Sequence, residues 1–370
     1  MEHEASQRIT RLTPLDDVLT RIAATVAPVP PVSIGIEAGR WRIAAEDPVA
    51  PAPHPAHAVA LRDGYAVRSE ATADASAYAP MPLADARAIE VGEPLPAGAD
   101  AVAPADAVLA DAAGVQAVQV TEAGGGTLPP GADAHPARPI RIGGKQLRPL
   151  DVAVLAAAGI GRIAVRAPRV EIIAARKDRI IRQVAALLEG LIADAGGDAF
   201  QGAAGAGIEM ALRHGEAHFT IVVGGSGQGR HDRSVAALAR AGRVEVHGVA
   251  IAPGETAAFG AVEQVPVLVL PGRIDAALAG WLTLGAAIMR ALTGATDEPA
   301  AISAVLERKV ASAIGLVEVV PVRVQGGRAL PLASGYLPLQ ALAQANGYIV
   351  VPAGSEGFPE GATVAVRPMP

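Results

Sequence analysis

The chain has 370 residues, a net charge of −6 and no cysteine. Its residues are 51% hydrophobic but only 3% aromatic, which excludes a disordered chain and implies cores of Ala, Val, Leu and Ile. The lack of cysteine excludes a disulfide framework, a thiolate metal site and a cysteine nucleophile, and the mild acidity argues against a general nucleic-acid binder.

At about 150 residues per domain the length predicts two or three units. Met1–Thr10 is polar, without the apolar run of a signal peptide. The uncharged run Ala276–Met289 is too short to span a membrane comfortably and reads as a buried helix. The expectation is a soluble cytoplasmic protein with no membrane or nucleic-acid partner.

Residues 11–27 read as an amphipathic helix, with Thr13 as cap, Pro14 at the first position and an apolar stripe of Leu15, Val18, Leu19, Ile22 and Ala23. Proline-rich extended chain follows. Residues 56–140 hold short alternating runs broken by Gly and Pro, and predict a small inserted β unit. From 151 to 295 strand and helix alternate. Helices are expected at 151–160, 180–196, 234–241 and 275–292, and strands at 169–175, 218–225, 244–251 and 265–272. That order predicts a parallel α/β sheet covered on both faces. Residues 297–370 read as a small β-rich unit with one helical stretch at 338–346.

Loops at the C-terminal ends of parallel strands are where open α/β sheets bind ligands. The first is Gly224-Gly225-Ser226-Gly227-Gln228-Gly229-Arg230-His231-Asp232. Glycines there let backbone N–H groups close on an anion. A dinucleotide fingerprint is excluded, because the required glycine at 230 is Arg230. The second is Arg176-Lys177-Asp178-Arg179, with Arg182 one turn on. These cations oppose the dipole of the helix they begin, so they point to a phosphate or oxyanion ligand. Two proline-glycine corners, Pro253-Gly254-Glu255 and Pro271-Gly272-Arg273, end the other strands, and Asp275 reads as a helix cap. Asp63 reads locally as a turn carboxylate in Arg62-Asp63-Gly64-Tyr65. The eight histidines show no metal spacing, and His54 and His57 read as surface residues.

Taken in order, these segments resemble the molybdopterin molybdenumtransferase family, the MoeA-type proteins and the E domain of gephyrin. LTPLDDVL and EAGRWRIAAEDPVAP resemble its opening helix and its A-G-R-x-x-A-E-D-V-x-A-P segment. RDGYAVR resembles M-D-G-Y-A-V-R, and GEPLPAGADAV resembles T-G-A-P-L-P-x-G-A-D-A-V. LDVAVLAAAGIGRIAVRAPRVEII is similar to its linker helix and first sheet strand. VVGGSGQGRHD resembles S-G-G-V-S-V-G-x-x-D, and SGYLPLQALAQANGYIVVP resembles the C-terminal S-G-x-L-x-S-L-A-x-A-N-G-x-I-x-x-P. The likeness covers nearly the whole chain.

The resemblance implies four units. These are a discontinuous, elongated linker unit (1–50 and 140–167) and an inserted β unit (51–139). After them come a three-layer α/β/α molybdopterin-binding-like unit (168–296) and a C-terminal β-barrel-like unit (297–370). It implies a homodimer with its cleft between subunits, Mg²⁺ as cofactor, and molybdopterin with molybdate as substrate. A molybdenum-cofactor pathway protein or a molybdoenzyme is a further implied partner. Catalytic roles fall on Asp63, Asp178 and Asp232, with Asp63 and Asp232 also as metal ligands. Ligand binding falls on Gly224, Gly225, Ser226, Gly227, Gly229, Arg176, Lys177, Pro253, Gly254, Pro271, Gly272 and Arg273.

This sequence departs from the family pattern at the charged positions. Val91 stands for a Thr, and Ala175-Arg176-Lys177-Asp178 stands for T-G-D-E. Val223 and Gly227 stand for serines, Glu255 for the Lys of P-G-K-P, and Arg273-Ile274 for the N-P of P-G-N-P. Two functions follow from the resemblance. One is insertion of molybdate into adenylated molybdopterin. The alternative is a catalytically reduced paralogue that binds molybdopterin or a related anion as carrier, chaperone or scaffold.

Overall fold

The structure is a computed structural model that describes residues 7–112, 114–202, 207–297 and 300–370. Met1–Ser6 of the polar opening segment lie outside the described residues.

The central sheet has six strands in the order Asp198–Gln201, Arg169–Ala174, Phe219–Val223, Val265–Leu270, Ala258–Val262 and Arg243–His247. The first four are parallel, and Ala258–Val262 runs antiparallel to both of its neighbours, so Arg243–His247 has the same direction as the first four. Period-two alternation sorts their side chains between two layers. Ile172, Phe219, Ile221, Val223, Leu268 and Leu270 pack under the helices Leu15–Thr25, Arg179–Asp194 and Ile274–Thr293. Ile173, Val222, Val267 and Val269 pack under Ile208–His214 and Ser234–Ala241. A doubly covered sheet explains why these strands read as unbroken apolar runs.

The expected parallel strand over 244–251 is divided. Gly248, at φ +94°, turns the chain. Arg243–His247 becomes an antiparallel edge strand. Ile251–Ala252 leaves the sheet and pairs parallel with Val317–Gln325 of the C-terminal unit. Its place in the sheet is taken by Ala258–Val262, which pattern reading passes over because Ala and Gly give it no alternation. Gly260 must be small, since a Cβ there would lie 2.2 Å from the Arg243 carbonyl oxygen.

Leu15–Thr25 forms as expected but without a Thr13 cap. The Thr13 backbone is instead paired, its N–H to the Gly248 carbonyl at 2.9 Å and its carbonyl to the Ala250 N–H at 2.8 Å. Leu15, Val18, Ile22 and Val26 are buried, while Ala23 is exposed. Ile274–Thr293 is long and apolar enough to cross a membrane, yet two-thirds of it is buried in the protein, as a core helix is. A π-helical turn, Trp281–Gly285, interrupts it, where the Trp281 ring lies over Gly285 and leaves no room for a Cβ.

Val32–Gly35, Arg162–Arg166 and Ile43–Ala44 form a small antiparallel sheet. Gly64–Val67 pairs with Arg87–Ile89 and Ala101–Pro104 in the β-rich stretch between them. In the C-terminal unit five strands close on themselves: Val317–Gln325, Arg328–Pro331, Ile302–Leu306, Thr363–Pro368 and Gly347–Val351. This is a closed β-barrel.

One buried charge stands out in the sheet. Glu171 shares a face with Ile173, is 4% exposed, and its Oε2 has no hydrogen-bond partner among the described residues. Burial pushes its carboxyl above the ordinary glutamate range. The folded state therefore favours the protonated form. Stability falls as pH rises from the free glutamate range through the raised value, and then levels off. Glu171→Gln is expected to stabilise the protein at pH 7 by about 1 kcal/mol and to flatten that pH dependence, as read by urea unfolding between pH 4 and 8.

Candidate functional site

Three loops leave the sheet side by side. Val223 is paired with Ala174 on one flank and Leu270 on the other, so 175–178, 224–232 and 271–273 emerge at one edge. The Ala175 N–H donates to the Val223 carbonyl at 2.9 Å and the Gly224 N–H to the Leu270 carbonyl at 2.8 Å. These bonds carry the pairing one residue into each loop.

The glycine loop begins with two residues at positive φ, Gly224 at +90° and Gly225 at +70°. A side chain at Gly225 would meet Ser234 Oγ at 2.5 Å. All four carbonyls from 224 to 227 are held by side chains. Ser234 Oγ donates to Gly224 O at 2.7 Å. Gln7 Nε2 donates to Gly225 O at 2.8 Å and to Gly227 O at 2.7 Å. His247 Nε2 lies 2.9 Å from Ser226 O, which requires the Nε2–H tautomer. The N–H groups of Gly225, Ser226, Gly227 and Gln228 have no partner among the described residues. Ser226 itself is 2% exposed and its hydroxyl pairs with Thr256 at 2.9 Å, so its side chain is engaged within the fold.

At the two flanking loops lies a cavity of about 780 Å³, which none of residues 224–232 lines. Arg176, Asp178, Arg179, Gly272, Arg273 and Leu339 are among its lining residues. Lys177 and Arg179 make no ion pair among the described residues. Arg176 lies 3.6 Å from Asp178. Asp178 caps the helix Arg179–Asp194, accepting the Ile181 N–H at 2.9 Å. Gly272 packs against Gly224 at the cavity floor, with Ile181 beneath both.

Arg273 is held tightly. Its Nε and Nη2 fork onto Asp275 at 3.0 and 2.5 Å, and its guanidinium lies 4.7 Å from the Tyr336 ring centre. Hydrogen bonding to Asp275 pushes the Arg273 pKa above its ordinary value. Asp275 is not the helix cap expected from sequence. It sits in the first turn, 4% exposed, and also accepts the Leu337 N–H at 3.4 Å.

The remaining expected residues lie apart from the cavity. Asp232 folds back on its own loop and accepts the Gly229 N–H at 3.0 Å. Pro253 and Gly254 are buried against Ala276 and Ile251, and the Gly254 N–H donates to Glu255 at 3.1 Å. Pro271 is half-buried at the end of its strand. Asp63 is exposed in the inserted unit and accepts the Val91 N–H at 2.8 Å. No group of three or more His, Asp or Glu gathers among the described residues. Asp63, Asp178 and Asp232 each accept one backbone N–H and do not converge on one point, so the carboxylates of one chain supply no gathered ligand set for Mg²⁺. Gln7, Ser234, His247, Thr256 and Tyr336 carry no motif signal. Only Ser234, first residue of a helix after a glycine loop, has a position that hints at its part.

Three family models match in succession. "MoeA N-terminal region (domain I and II)" matches residues 13–159, "Probable molybdopterin binding domain" residues 169–291, and "MoeA C-terminal region (domain IV)" residues 303–369. A curated molybdopterin biosynthesis protein of Methanocaldococcus jannaschii is 26% identical, over 88% of this chain and 89% of its own length. The crystal structure of the molybdopterin biosynthesis moeA protein of Pyrococcus horikoshii OT3 superposes with a TM-score of 0.80 at 21% identity. The solved structure of a molybdenum cofactor biosynthesis protein of Pyrococcus furiosus gives 0.60 at 21%. Each covers 97% of this chain and 100% of the other, so the likeness is one of whole fold. With three matches in the family's own order along nearly all of its length, the chain belongs to the MoeA family.

Proposed function

We propose that this protein serves molybdenum cofactor biosynthesis by binding molybdopterin, an anionic pterin phosphate, at the C-terminal edge of its central sheet. The observation that carries this reading is the run of four unpartnered amides at 225–228, at the same sheet edge as a cavity lined by Arg176 and Arg179. Amides and guanidinium groups in that arrangement suit an oxyanion. Pairing is also weak on this rim, since Arg176 meets Asp178 only at 3.6 Å. Its charge remains available to a ligand.

Binding, as a carrier or scaffold, is better supported than insertion of molybdate. A metal-assisted step would need carboxylates gathered at one point, and no group of three or more His, Asp or Glu gathers among the described residues. A second reading, molybdate insertion, draws on one observation. Asp63 is exposed at a tight turn of the inserted unit. In a homodimer with a shared cleft that turn would meet the rim of the partner subunit and add a carboxylate there.

Titration with molybdopterin, molybdate and AMP, each with and without Mg²⁺, tests both readings. Binding without turnover is expected. Arg179→Ala should weaken binding about tenfold, by the loss of one charge-assisted contact, and raised salt should weaken it further. Molybdate insertion on adding Mg²⁺ would favour the second reading, and binding of none of the three would sink both. Gly225→Ala sets a Cβ against Ser234 Oγ at positive φ. It is expected to cost about 2 kcal/mol of stability and to weaken anion binding, as read by melting and by the same titration.

A further inference from the structure

We infer that Gln7 is a positioning residue, which holds the glycine loop in its anion-accepting form. The inference rests on the reading that this loop takes an anion.

Gln7 reaches the loop from more than 200 residues away in sequence. Both N–H groups of its amide are used, one on Gly225 O and one on Gly227 O. Its Oε1 accepts the Ala236 N–H at 3.1 Å, an orphan amide in the first turn of Ser234–Ala241. The side chain is thereby fixed at three points. The segment around it is fixed as well, since Ile9 and Leu12 pack on Gly248.

The consequence follows from peptide geometry. In a planar trans peptide the N–H points opposite to the carbonyl of the residue before it. Gln7 draws the carbonyls of 225 and 227 to its own side, so the N–H groups of Ser226 and Gly227-linked Gln228 point the other way. Ser234 and His247 do the same for the peptides at 224 and 226. Those are the amides that lack a partner within the chain.

Without Gln7 the peptide after Gly227 loses that bias, whereas Gly225 O keeps the Ser234 N–H at 3.0 Å. Glycine populates both signs of φ readily, so a peptide flanked by it turns over at little cost. A flip would exchange an N–H donor for a carbonyl oxygen and set a negative dipole against the anion. The loop would then be competent for only part of the time, and apparent affinity would fall in the same proportion.

The test compares wild type with Gln7→Met, which keeps length and bulk, and with Gln7→Glu, which keeps the acceptor for Ala236 but loses both donations. Inorganic phosphate is the probe, followed by calorimetry and by the amide resonances of 225–228. Melting temperature reports the fold separately. Wild type is expected to bind phosphate with shifts at those four amides. Both variants should stay folded, bind about tenfold more weakly and lose, of those shifts, the one at Gln228. Arg179→Ala should weaken binding yet keep all of them. Wild-type affinity and unchanged amide shifts in both variants would overturn the role of Gln7 while leaving the anion site standing. Failure of wild type itself to bind phosphate at the loop would overturn the site, and the role of Gln7 with it.

Discussion

Burial of the strands Arg169–Ala174, Phe219–Val223 and Val265–Leu270 on both faces is the constraint on which the rest depends. Ile172, Phe219, Ile221 and Leu268 are essentially without solvent contact. Each strand has helices above and below, so its chain leaves only at the ends. Because the three run parallel, their C-terminal loops leave together. The ligand edge is a result of core packing, and the loops inherit their alignment from hydrophobic pairing far beneath them.

The loops then divide the work. The glycine loop has amides to offer but no charge at its apex, because its carbonyls are turned onto Ser234, Gln7 and His247. The 176–179 loop has charge but spends its one carboxylate on capping its own helix. An anion would gain directional bonds from the first and long-range attraction from the second. Local amides and nearby cations act additively on a phosphate, whereas either alone gives a weak site.

Much of this was legible in the sequence, for a physical reason. Strands such as RVEIIAA and HFTIVVGG, and helices such as 234–241, are set by local pattern and burial together, and they formed where pattern reading expects them. The Gly224-Gly225 turn was equally legible, since only glycine takes successive positive φ angles at low cost. What the pattern could not give were features made by distant segments. Ala258–Val262 is a strand because Arg243–His247 and Val265–Leu270 flank it, not because of its own composition. Thr13 looked like a cap and became a backbone partner of Gly248 and Ala250. Asp275 looked like a cap and became the anchor of Arg273 and Leu337. Gln7 carries no local signal at all, because its role exists only after the chain has folded back on itself.

Arg273 shows how a charge at the rim can be diverted from a ligand. It occupies a corner where the family pattern has an asparagine, and by sequence it adds a fourth cation to Arg176, Lys177 and Arg179 at the edge. In the fold its guanidinium is forked on a buried carboxylate and stacked on Tyr336, a residue of the C-terminal unit. The same carboxylate holds the Leu337 N–H, and one turn back Glu318 holds Ser334 and Gly335 at 2.6 and 2.7 Å. Two buried carboxylates thus fix the 334–337 loop, from which Leu339 enters the cavity wall. The contacts of Arg273 join the C-terminal unit to the start of the helix after the sheet strand. Attraction for an anion is left to Arg176 and Arg179 in the cavity lining and to Lys177 between them in sequence.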